Sequence, residues 1–186
     1  ITPNEIKTFY DKIPVDSVCS VLDLGTGTGA IALAIASQRP QAQVTAVDFS
    51  AEALQVAAEN GESLKLNHVK FIQSHWLSEF TQGAYEKFDV IVSNPPYIAQ
   101  DDEHLKQGDL RFEPISALAS GKDGLDDIRK IIQDAPHYLK PNGWLMLEHG
   151  YDQAEAVAAL LSERGFSQID YAKDIAGIRR VTFGAI

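Results

Sequence analysis

A glycine-rich loop between an apolar strand and an apolar helix constrains the fold of this chain more than any other feature. A strand is predicted at 18–24, and the loop at 25–29, Gly-Thr-Gly-Thr-Gly, leads directly into an alanine-rich helix at 30–37. Glycines let backbone N–H groups approach a ligand without a Cβ in the way, and the helix N-terminus adds positive partial charge. Because the helix is apolar on every side, we expect it to be buried against a sheet. The pattern predicts a cradle for a nucleotide.

An acidic residue follows the next predicted strand. This strand, at 43–47, ends in Asp48, and Ser50 begins another predicted helix. An aspartate at this point can accept hydrogen bonds from both ribose hydroxyls of a nucleotide, and about 20 residues beyond the glycines is the spacing that dinucleotide folds use. A helix N-cap is the ordinary alternative for such an aspartate, but Ser50 is better placed to cap. We therefore interpret Asp48 as a ribose ligand.

The apolar run at 90–92 and Ser93 stop at an Asn-Pro-Pro-Tyr tetrad, residues 94–97. Proline cannot donate to a strand ladder and biases the preceding residue away from helix, so the prolines force the chain out of the sheet at Asn94. In an open parallel sheet this edge is where ligands bind. A cis-proline turn that merely caps the strand is the alternative interpretation. We predict instead that the tetrad presents rigid hydrogen-bond acceptors to a ligand.

The rest of the chain alternates between predicted helices and strands. Helices are predicted near 4–12, 125–135 and 154–161, strands at 69–73, 88–93 and 144–148, a turn at 141–143, and a closing hairpin of strands at 168–172 and 179–183. Strands that alternate with helices form a parallel sheet covered on both faces. We predict an α/β three-layer sandwich with a seven-stranded, mostly parallel, Rossmann-like sheet and an antiparallel strand from the C-terminal hairpin.

Composition and charge exclude several classes of protein. With 186 residues, 45% of them apolar, the chain fits one domain with a sizeable core. No apolar stretch is long enough to cross a bilayer, and a single cysteine, Cys19, suits a reducing compartment. The net charge of −10 argues against a surface that neutralises phosphates. We expect a cytoplasmic monomer that contacts no membrane, no nucleic acid directly and no metal.

The glycine loop alone leaves the cofactor open. Residues 25–30 also satisfy the G-x-G-x-x-A pattern, so a nicotinamide-dependent oxidoreductase is one alternative. A binding module that retains the fold without activity is another. Two features favour methyl transfer: the acid-x-G-x-G-x-G pattern that begins at Asp23 is that of methyltransferase loops, and the tetrad has no task in hydride transfer.

On these motifs the chain resembles class I S-adenosylmethionine-dependent methyltransferases, and specifically the HemK-type glutamine-N5 methyltransferases of peptide-chain release factors. The similarity also rests on Arg-Phe-Glu-Pro at 111–114 with Ala-Leu at 117–118, Leu-Glu-His-Gly at 147–150 and Arg-Val-Thr at 180–182. DNA adenine and RNA guanine amino-methyltransferases share the tetrad, so a nucleic-acid enzyme is the alternative. The Phe-Glu-Pro stretch narrows the resemblance to the HemK-type enzymes. The resemblance implies S-adenosylmethionine as donor, S-adenosylhomocysteine as product and a release factor as partner, methylated on the glutamine of its Gly-Gly-Gln motif.

Motif and resemblance together assign candidate site residues. The predicted catalytic residues are Asn94, Pro95 and Tyr97. The predicted substrate-binding residues are Asn94, Pro95, Pro96, Tyr97 and Glu113. The predicted cofactor-binding residues are Asp23, Gly25, Thr26, Gly27, Gly29, Asp48, Phe49, His75, Trp76 and Asn94.

Three of these assignments have structural alternatives. Relatives commonly carry an aspartate at the position of His75, beside the adenine amino group; a neutral imidazole can also accept, but an exposed loop histidine is an equal alternative. Trp76 either covers adenine or fills core, and Glu113 either shapes the substrate pocket or is a structural glutamate in a polar loop.

The residue types suggest a mechanism that depends on alignment. An amide nitrogen is a poor nucleophile because its lone pair is delocalised into the carbonyl. If the Asn94 side-chain oxygen and the Pro95 carbonyl each accept one N–H of the substrate amide, the lone pair faces the methyl donor, and Tyr97 can lie on the amide plane. Such placement is worth up to about 7–11 kcal/mol in favourable intramolecular cases. Neither a metal nor a strong base is required.

Residues 15–186 are predicted to form the methyltransferase domain, with 1–14 as the remnant of a linker or N-terminal region. The family usually carries a helical N-terminal domain that helps hold the release factor. The segment at 99–121 is long, polar and irregular, with one possible helical turn at 103–107. Loops of that length in compact domains tend to be functional, so we predict a lid over the substrate.

Overall fold

The computed structural model describes residues 3–13, 18–80, 86–102 and 117–186. The helices are α1 (Pro3–Asp11), α2 (Ala30–Gln38), α3 (Ala51–Ser63), α4 (Asp126–Asp134) and α5 (Ala154–Glu163), with a 3₁₀ turn at Ala135–His137 after α4. The strands are β1 (Ser20–Leu24), β2 (Gln43–Asp48), β3 (Lys70–Gln73), β4 (Phe88–Ser93), β5 (Leu139–Glu148), β6 (Ser167–Lys173) and β7 (Arg179–Ala185). None of the helices in the described ranges is long and apolar enough to cross a membrane.

The strands form one seven-stranded sheet in the order β3-β2-β1-β4-β5-β7-β6. The first five strands are mutually parallel, and β7 returns antiparallel between β5 and β6. β1 lies inside the sheet, where Val21 is in register with Val44 of β2 and Val90 of β4. The predicted α/β fold, with its antiparallel strand from the C-terminal hairpin, is confirmed.

Strand β1 illustrates how the core is divided between the two faces of the sheet. Val21 is buried among side chains of α1 and α2, whereas Leu22 and Leu24 are buried among side chains of α4 and α5. Successive residues of a strand point to opposite faces, so a strand with apolar residues on both faces needs cover on both sides. The two layers of helices supply that cover, as the predicted three-layer sandwich requires.

The predicted strand start at Trp144 is wrong. β5 begins at Leu139 and includes the residues predicted as a turn. The register between β4 and β5 shifts in this stretch: Phe88 pairs with Leu139, whereas Val90 pairs with Trp144. The Asn142 N–H donates to the carbonyl of Ile186 at 2.9 Å, so the end of the chain holds the bulge within the sheet.

The carboxyl ends of β1 and β4 bring the glycine loop and the tetrad side by side. Leu24 is in register with Ser93, and the Ser93 hydroxyl donates to the Leu24 carbonyl at 2.7 Å. Each strand ends there, so the loop at 25–29 and the tetrad leave the sheet from adjacent positions at one edge. The fold therefore joins the two motifs that the sequence separates by about seventy residues.

Candidate active site

The glycine loop adopts a backbone that its residue types require. The φ angles of Gly25, Gly27 and Gly29 are 69°, 56° and 85°, in the left-handed region where a Cβ is unfavourable. The Thr26 N–H donates to the Val47 carbonyl of β2 at 2.9 Å, which fixes the loop against the sheet. A Cβ built on Gly27 would meet no other atom within 4 Å, so the loop faces open space at that point. This space can admit a ligand to the backbone.

Asp23 lies beneath the loop and is fully buried. Its Oδ2 accepts from the Thr26 hydroxyl at 2.6 Å and from the Ala32 N–H at 3.0 Å, which ties β1 to the first turn of α2. Burial raises the pKa of the Asp23 carboxyl to about 7, against the lowering effect of these two hydrogen bonds. Its Oδ1 is buried and accepts no hydrogen bond from the part of the chain that the structure describes. A ligand donor would satisfy this atom.

Asp48 closes the loop from the end of β2. Its Oδ2 accepts from the Gly27 N–H at 2.8 Å, and its Oδ1 accepts from the Ser50 N–H at 2.9 Å. Each carboxylate oxygen has a second lone pair, so Asp48 retains the capacity to accept from ribose hydroxyls. The ribose role stays a prediction. The hydrogen bond that Asp48 accepts from the Gly27 N–H is a second role of this residue, which sequence reasoning missed.

The rings of three residues follow one another in a row of contacts, from Phe49 to His75 to Trp76, and Trp76 lies against the glycine loop. Phe49 is 72% exposed, and its ring meets the exposed His75 ring edge-on, with centroids 5.8 Å apart. Trp76 is partly buried, packs against the cluster under α4 and α5, and lies over Gly25, whose Cβ position is 3.0 Å from the indole. Trp76 therefore fills part of the core, as one of its two interpretations has it, and the adenine contacts of Phe49, His75 and Trp76 stay predictions.

His75 also contacts a lysine. The Nδ1 atom of His75 is 3.1 Å from Nζ of Lys130 on α4. Because an ammonium group only donates, Nδ1 is the acceptor in this contact and the ring proton of a neutral His75 is on Nε2. This arrangement orients the ring and leaves Nε2 as a donor, which differs from the acceptor that a contact with an adenine amino group requires.

The tetrad has a buried acceptor at its first residue. The Oδ1 atom of Asn94 is buried and has no hydrogen-bond partner within the described ranges. Pro95 is buried and Pro96 is partly buried. The described residues contain no cis peptide bond, so the cis-proline alternative is wrong. A buried amide oxygen without a partner is costly, and a substrate N–H would relieve that cost.

The backbone after the tetrad is held by residues that the sequence did not single out. The Tyr97 carbonyl accepts from Nε2 of Gln153 at 2.9 Å, and Oε1 of Gln153 accepts from the Gly150 N–H at 2.7 Å. A Cβ on Gly124 would be 2.1 Å from the same Tyr97 carbonyl, so only glycine allows this approach. Nε2 of Gln153 also donates to the Asp123 carbonyl at 3.1 Å, so Gln153 connects the tetrad to the start of α5 and the turn before α4.

Asp127 is another residue that sequence reasoning missed. Its Oδ1 accepts from Nε1 of Trp76 at 2.9 Å, and its Oδ2 accepts from the Ser120 hydroxyl at 2.7 Å. The Ser120 oxygen in turn accepts from the Asp127 N–H at 2.7 Å. The hydrogen bond from Trp76 to Asp127 fixes the indole ring against α4.

Both ends of the predicted lid are paired with each other. The Ile98 N–H donates to Leu118 and the Ser120 N–H donates to Ile98, each at 2.9 Å. The Gln100 N–H donates to the Gly121 carbonyl at the same distance. Glu113 and the predicted turn at 103–107 lie outside the described residues, as does the Phe-Glu-Pro stretch.

A sheet in this strand order, with a glycine loop after β1 and an Asn-Pro-Pro-Tyr tetrad after β4, defines a Rossmann-like methyltransferase. A family model described as "Methyltransferase domain" matches residues 15–175. The chain belongs to this methyltransferase domain family. The family match leaves no support for the oxidoreductase alternative.

Curated relatives carry a more specific name. A release factor glutamine methyltransferase of Xylella fastidiosa is 56% identical over 164 residues, which are 88% of this chain and 58% of that protein. One of Pseudomonas aeruginosa is 53% identical over 179 residues, which are 96% of this chain and 63% of that protein. The chain thus spans about three fifths of the length of these relatives.

Solved structures support the fold. A methyltransferase from Pyrococcus furiosus is similar over 99% of this chain and 83% of its own, with a TM-score of 0.71 and 19% identity. The hMettl16 catalytic domain, in complex with MAT2A 3'UTR hairpin 6, is similar over 99% of this chain and 70% of its own, with a TM-score of 0.73 and 16% identity. At these identities the similarity concerns the fold alone.

Proposed function

We propose that this chain is the catalytic domain of an enzyme that methylates the side-chain amide nitrogen of a glutamine in the Gly-Gly-Gln motif of peptide-chain release factors. The observation that carries the proposal is the buried Oδ1 of Asn94, an acceptor without a described partner beside the glycine loop. The names of relatives that share about half of its residues supply the substrate.

The residues of the cradle fit S-adenosylmethionine. The open space over Gly27 admits a ligand to the loop, and Asp48 would hold the ribose. Phe49 and Trp76 would lie along the adenine. The Oδ1 atom of Asp23, which accepts no hydrogen bond from the described residues, would accept from a donor group of the cofactor. When bound, S-adenosylmethionine supplies an electrophilic methyl group on a sulfonium.

The tetrad would orient the substrate amide. Asn94 Oδ1 accepts one N–H of the glutamine side chain, and the Pro95 carbonyl accepts the other. Both acceptors are fixed, because Asn94 directly follows the buried strand β4 and proline restricts the backbone that comes next. The Tyr97 ring lies on the amide plane and restricts its rotation. Because the amide is held in one orientation, its nitrogen lone pair points toward the cofactor, and alignment supplies most of the rate enhancement.

No nearby histidine is required as a base. The nitrogen becomes acidic as it takes the methyl group and then loses its proton. His149 follows β5 but is fully buried, and burial lowers the pKa of its imidazole. Its Nδ1 is 2.8 Å from the Gly150 carbonyl, which only accepts, so Nδ1 donates and Nε2 accepts from the Thr182 hydroxyl at 2.7 Å. His149 is therefore committed to structural hydrogen bonds.

Charge favours a protein substrate over a nucleic acid. The chain has 16 basic and 26 acidic residues, whereas a nucleic-acid enzyme of this size would be expected to carry a basic surface. An acidic domain suits a basic protein partner, since complementary fields raise the association rate. The glycines of a Gly-Gly-Gln loop would let a thin segment of that partner enter a narrow cleft.

The test offers four substrates in parallel with radiolabelled S-adenosylmethionine. They are a release factor, its Gln→Ala variant, duplex DNA and a structured RNA, and the Pseudomonas aeruginosa relative serves as the positive control. We expect label only in the intact release factor, located at the glutamine by mass spectrometry. Label in DNA or RNA, or equal label in the Gln→Ala variant, would contradict the proposal.

A further inference from the structure

We propose that Arg180 is a positioning residue that holds the Tyr97 ring against the substrate amide. The inference rests on the proposed function, because it takes Tyr97 to contact that amide. Nη2 of Arg180 donates to the Tyr97 hydroxyl oxygen at 2.9 Å, across 83 residues of sequence. The guanidinium carbon is 5.4 Å from the centroid of the same ring.

The contact acts on the side chain of Tyr97, whose orientation the backbone alone does not set. Two prolines precede Tyr97 and Gln153 holds its carbonyl, so the main chain is restrained. These backbone restraints do not fix the side-chain torsion angles of Tyr97. A hydrogen bond from a charged donor at the far end of the ring restricts these angles, and such bonds are about twice as strong as neutral ones.

Arg180 is itself fixed from two directions. The neighbouring residue of β7, Val181, is in register with Glu148 of β5, and the Arg180 carbonyl accepts from the His149 N–H at 3.0 Å. Its Nη2 is 4.0 Å from Oε1 of Glu148, whose side chain is 2% exposed. A planar guanidinium can face a buried carboxylate and a phenol together, whereas the single ammonium of a lysine lacks this fork geometry.

The preceding residue provides a matched control. Arg179 is exposed, forms an ion pair with Glu155 and lies over the Tyr171 ring at 4.6 Å. It is also an arginine on β7 paired with a carboxylate and an aromatic ring, yet it contacts no residue of the tetrad in the described structure. Loss of Arg179 therefore tests whether any arginine of this strand has the same effect.

The kinetic test compares Arg180→Lys, Arg179→Lys, Tyr97→Phe and the double variant Arg180→Lys/Tyr97→Phe. Arg180→Lys keeps a cation beside Glu148, so the buried carboxylate is not left unpaired and folding is preserved. We expect kcat for methylation of a glutamine peptide to fall about 10- to 100-fold in Arg180→Lys and less than about twofold in Arg179→Lys. The KM for S-adenosylmethionine should not change. In the Tyr97→Phe background, Arg180→Lys should lower kcat by less than about threefold.

A second measurement needs no turnover. With tyrosine labelled by ¹³C at Cζ, the chain has at most six signals, and Tyr97→Phe identifies the one of Tyr97. We expect Arg180→Lys to shift this signal and Arg179→Lys to leave it in place. Failure of the wild type to methylate a glutamine would defeat the proposed function without affecting this result. An unmoved Tyr97 signal, or equal kcat losses from Arg180→Lys with and without the Tyr97 hydroxyl, would overturn the inference.

Discussion

The indole ring of Trp76 lies across the backbone of Gly25, where a Cβ would stand 3.0 Å from Cζ3 of the ring. The backbone of Trp76 has a φ of 54°, and its Nε1 donates to Asp127 at 2.9 Å, which holds the ring at its nitrogen. The first residue of the glycine loop and the loop after β3 thus form one packed unit. An approach this close is possible only where one partner has no side chain.

Gly25→Ala should destabilise the protein more than a glycine substitution elsewhere. The matched control is Gly165→Ala, because Gly165 also has a positive φ, 96°, but no atom within 4 Å of its Cβ position. Backbone strain is common to both variants, whereas only Gly25→Ala must displace the anchored indole. We expect an additional loss of about 1–3 kcal/mol in the free energy of unfolding, measured with urea. Equal losses would mean that Trp76 moves aside without cost.

Asp48→Ala should weaken binding of S-adenosylmethionine by at least about tenfold, since a hydrogen bond to a charged group is worth about 1.5–3 kcal/mol. The loop should also loosen, because Gly27 loses its acceptor. Titration calorimetry measures the affinity. Asp170→Ala, on the distant edge strand β6, is the control and should bind like the wild type. Unchanged affinity of Asp48→Ala would remove this residue from the ribose site.

Asn94→Ala should leave cofactor affinity nearly intact and slow turnover. Loss of one preorganised polar group commonly costs about 10²–10³ in rate at oxyanion sites, and we apply that magnitude here by analogy. Asn67→Ala, an exposed residue before β3, is the control. Steady-state kinetics with a glutamine peptide provide the test. If Asn94→Ala retains most of its turnover, another group must hold the substrate amide.

Stability should depend on pH through Asp23. Because burial raises the pKa of this carboxyl from 3.8 to about 7, the folded state binds a proton more tightly than the unfolded state. The resulting stabilisation is complete below about pH 4 and is lost as the pH rises through about 7. The free energy of unfolding of the wild type, relative to Asp23→Asn, should therefore fall across this window.

The control for this titration is Asp123→Asn. The hydrogen bond from Arg129 lowers the pKa of the exposed Asp123 carboxyl to about 2, so this group stays ionised throughout the same window. Its effect on unfolding should be independent of pH from about 5 to 8. Urea unfolding at several pH values, without cofactor, measures both differences. A difference for Asp23→Asn that stays flat from about pH 5 to 8 would show that Asp23 is ionised in the folded protein over that range.

The segment at 99–121 should become more protected from hydrogen exchange when substrate binds. Its attachment to the tetrad and its length motivate the expectation, and the pairing of Ile98 with 118–120 fixes the ends from which it would close. Exchange is followed by mass spectrometry with cofactor alone and with cofactor plus a glutamine peptide. Equal exchange rates in the two states would argue against a lid.

The features of the site that could be predicted are those with a local pattern. The glycine loop could be predicted from the sequence of one strand, one loop and one helix. The prediction that Ser50 caps α3 is also confirmed, because its side-chain oxygen accepts from the Ala53 N–H at 3.1 Å. The strand start at Trp144 was wrong because the distant Ile186 holds the bulge at Asn142. Cytoplasmic location, the monomeric state and the domain boundaries stay predictions.

By itself, the sequence determined the order of strands and helices, the two-faced burial of the central strands and the positions of both motifs at strand ends. Periodicity, proline and glycine act within a few residues, so these features are readable from one stretch at a time. Only the tertiary structure decided which side chains support the motifs. Asp127 meets Trp76 across 51 residues, Gln153 meets Tyr97 across 56, and Arg180 meets Tyr97 across 83. Strand order and register bring these partners together, and no local pattern records which distant polar group a side chain will meet.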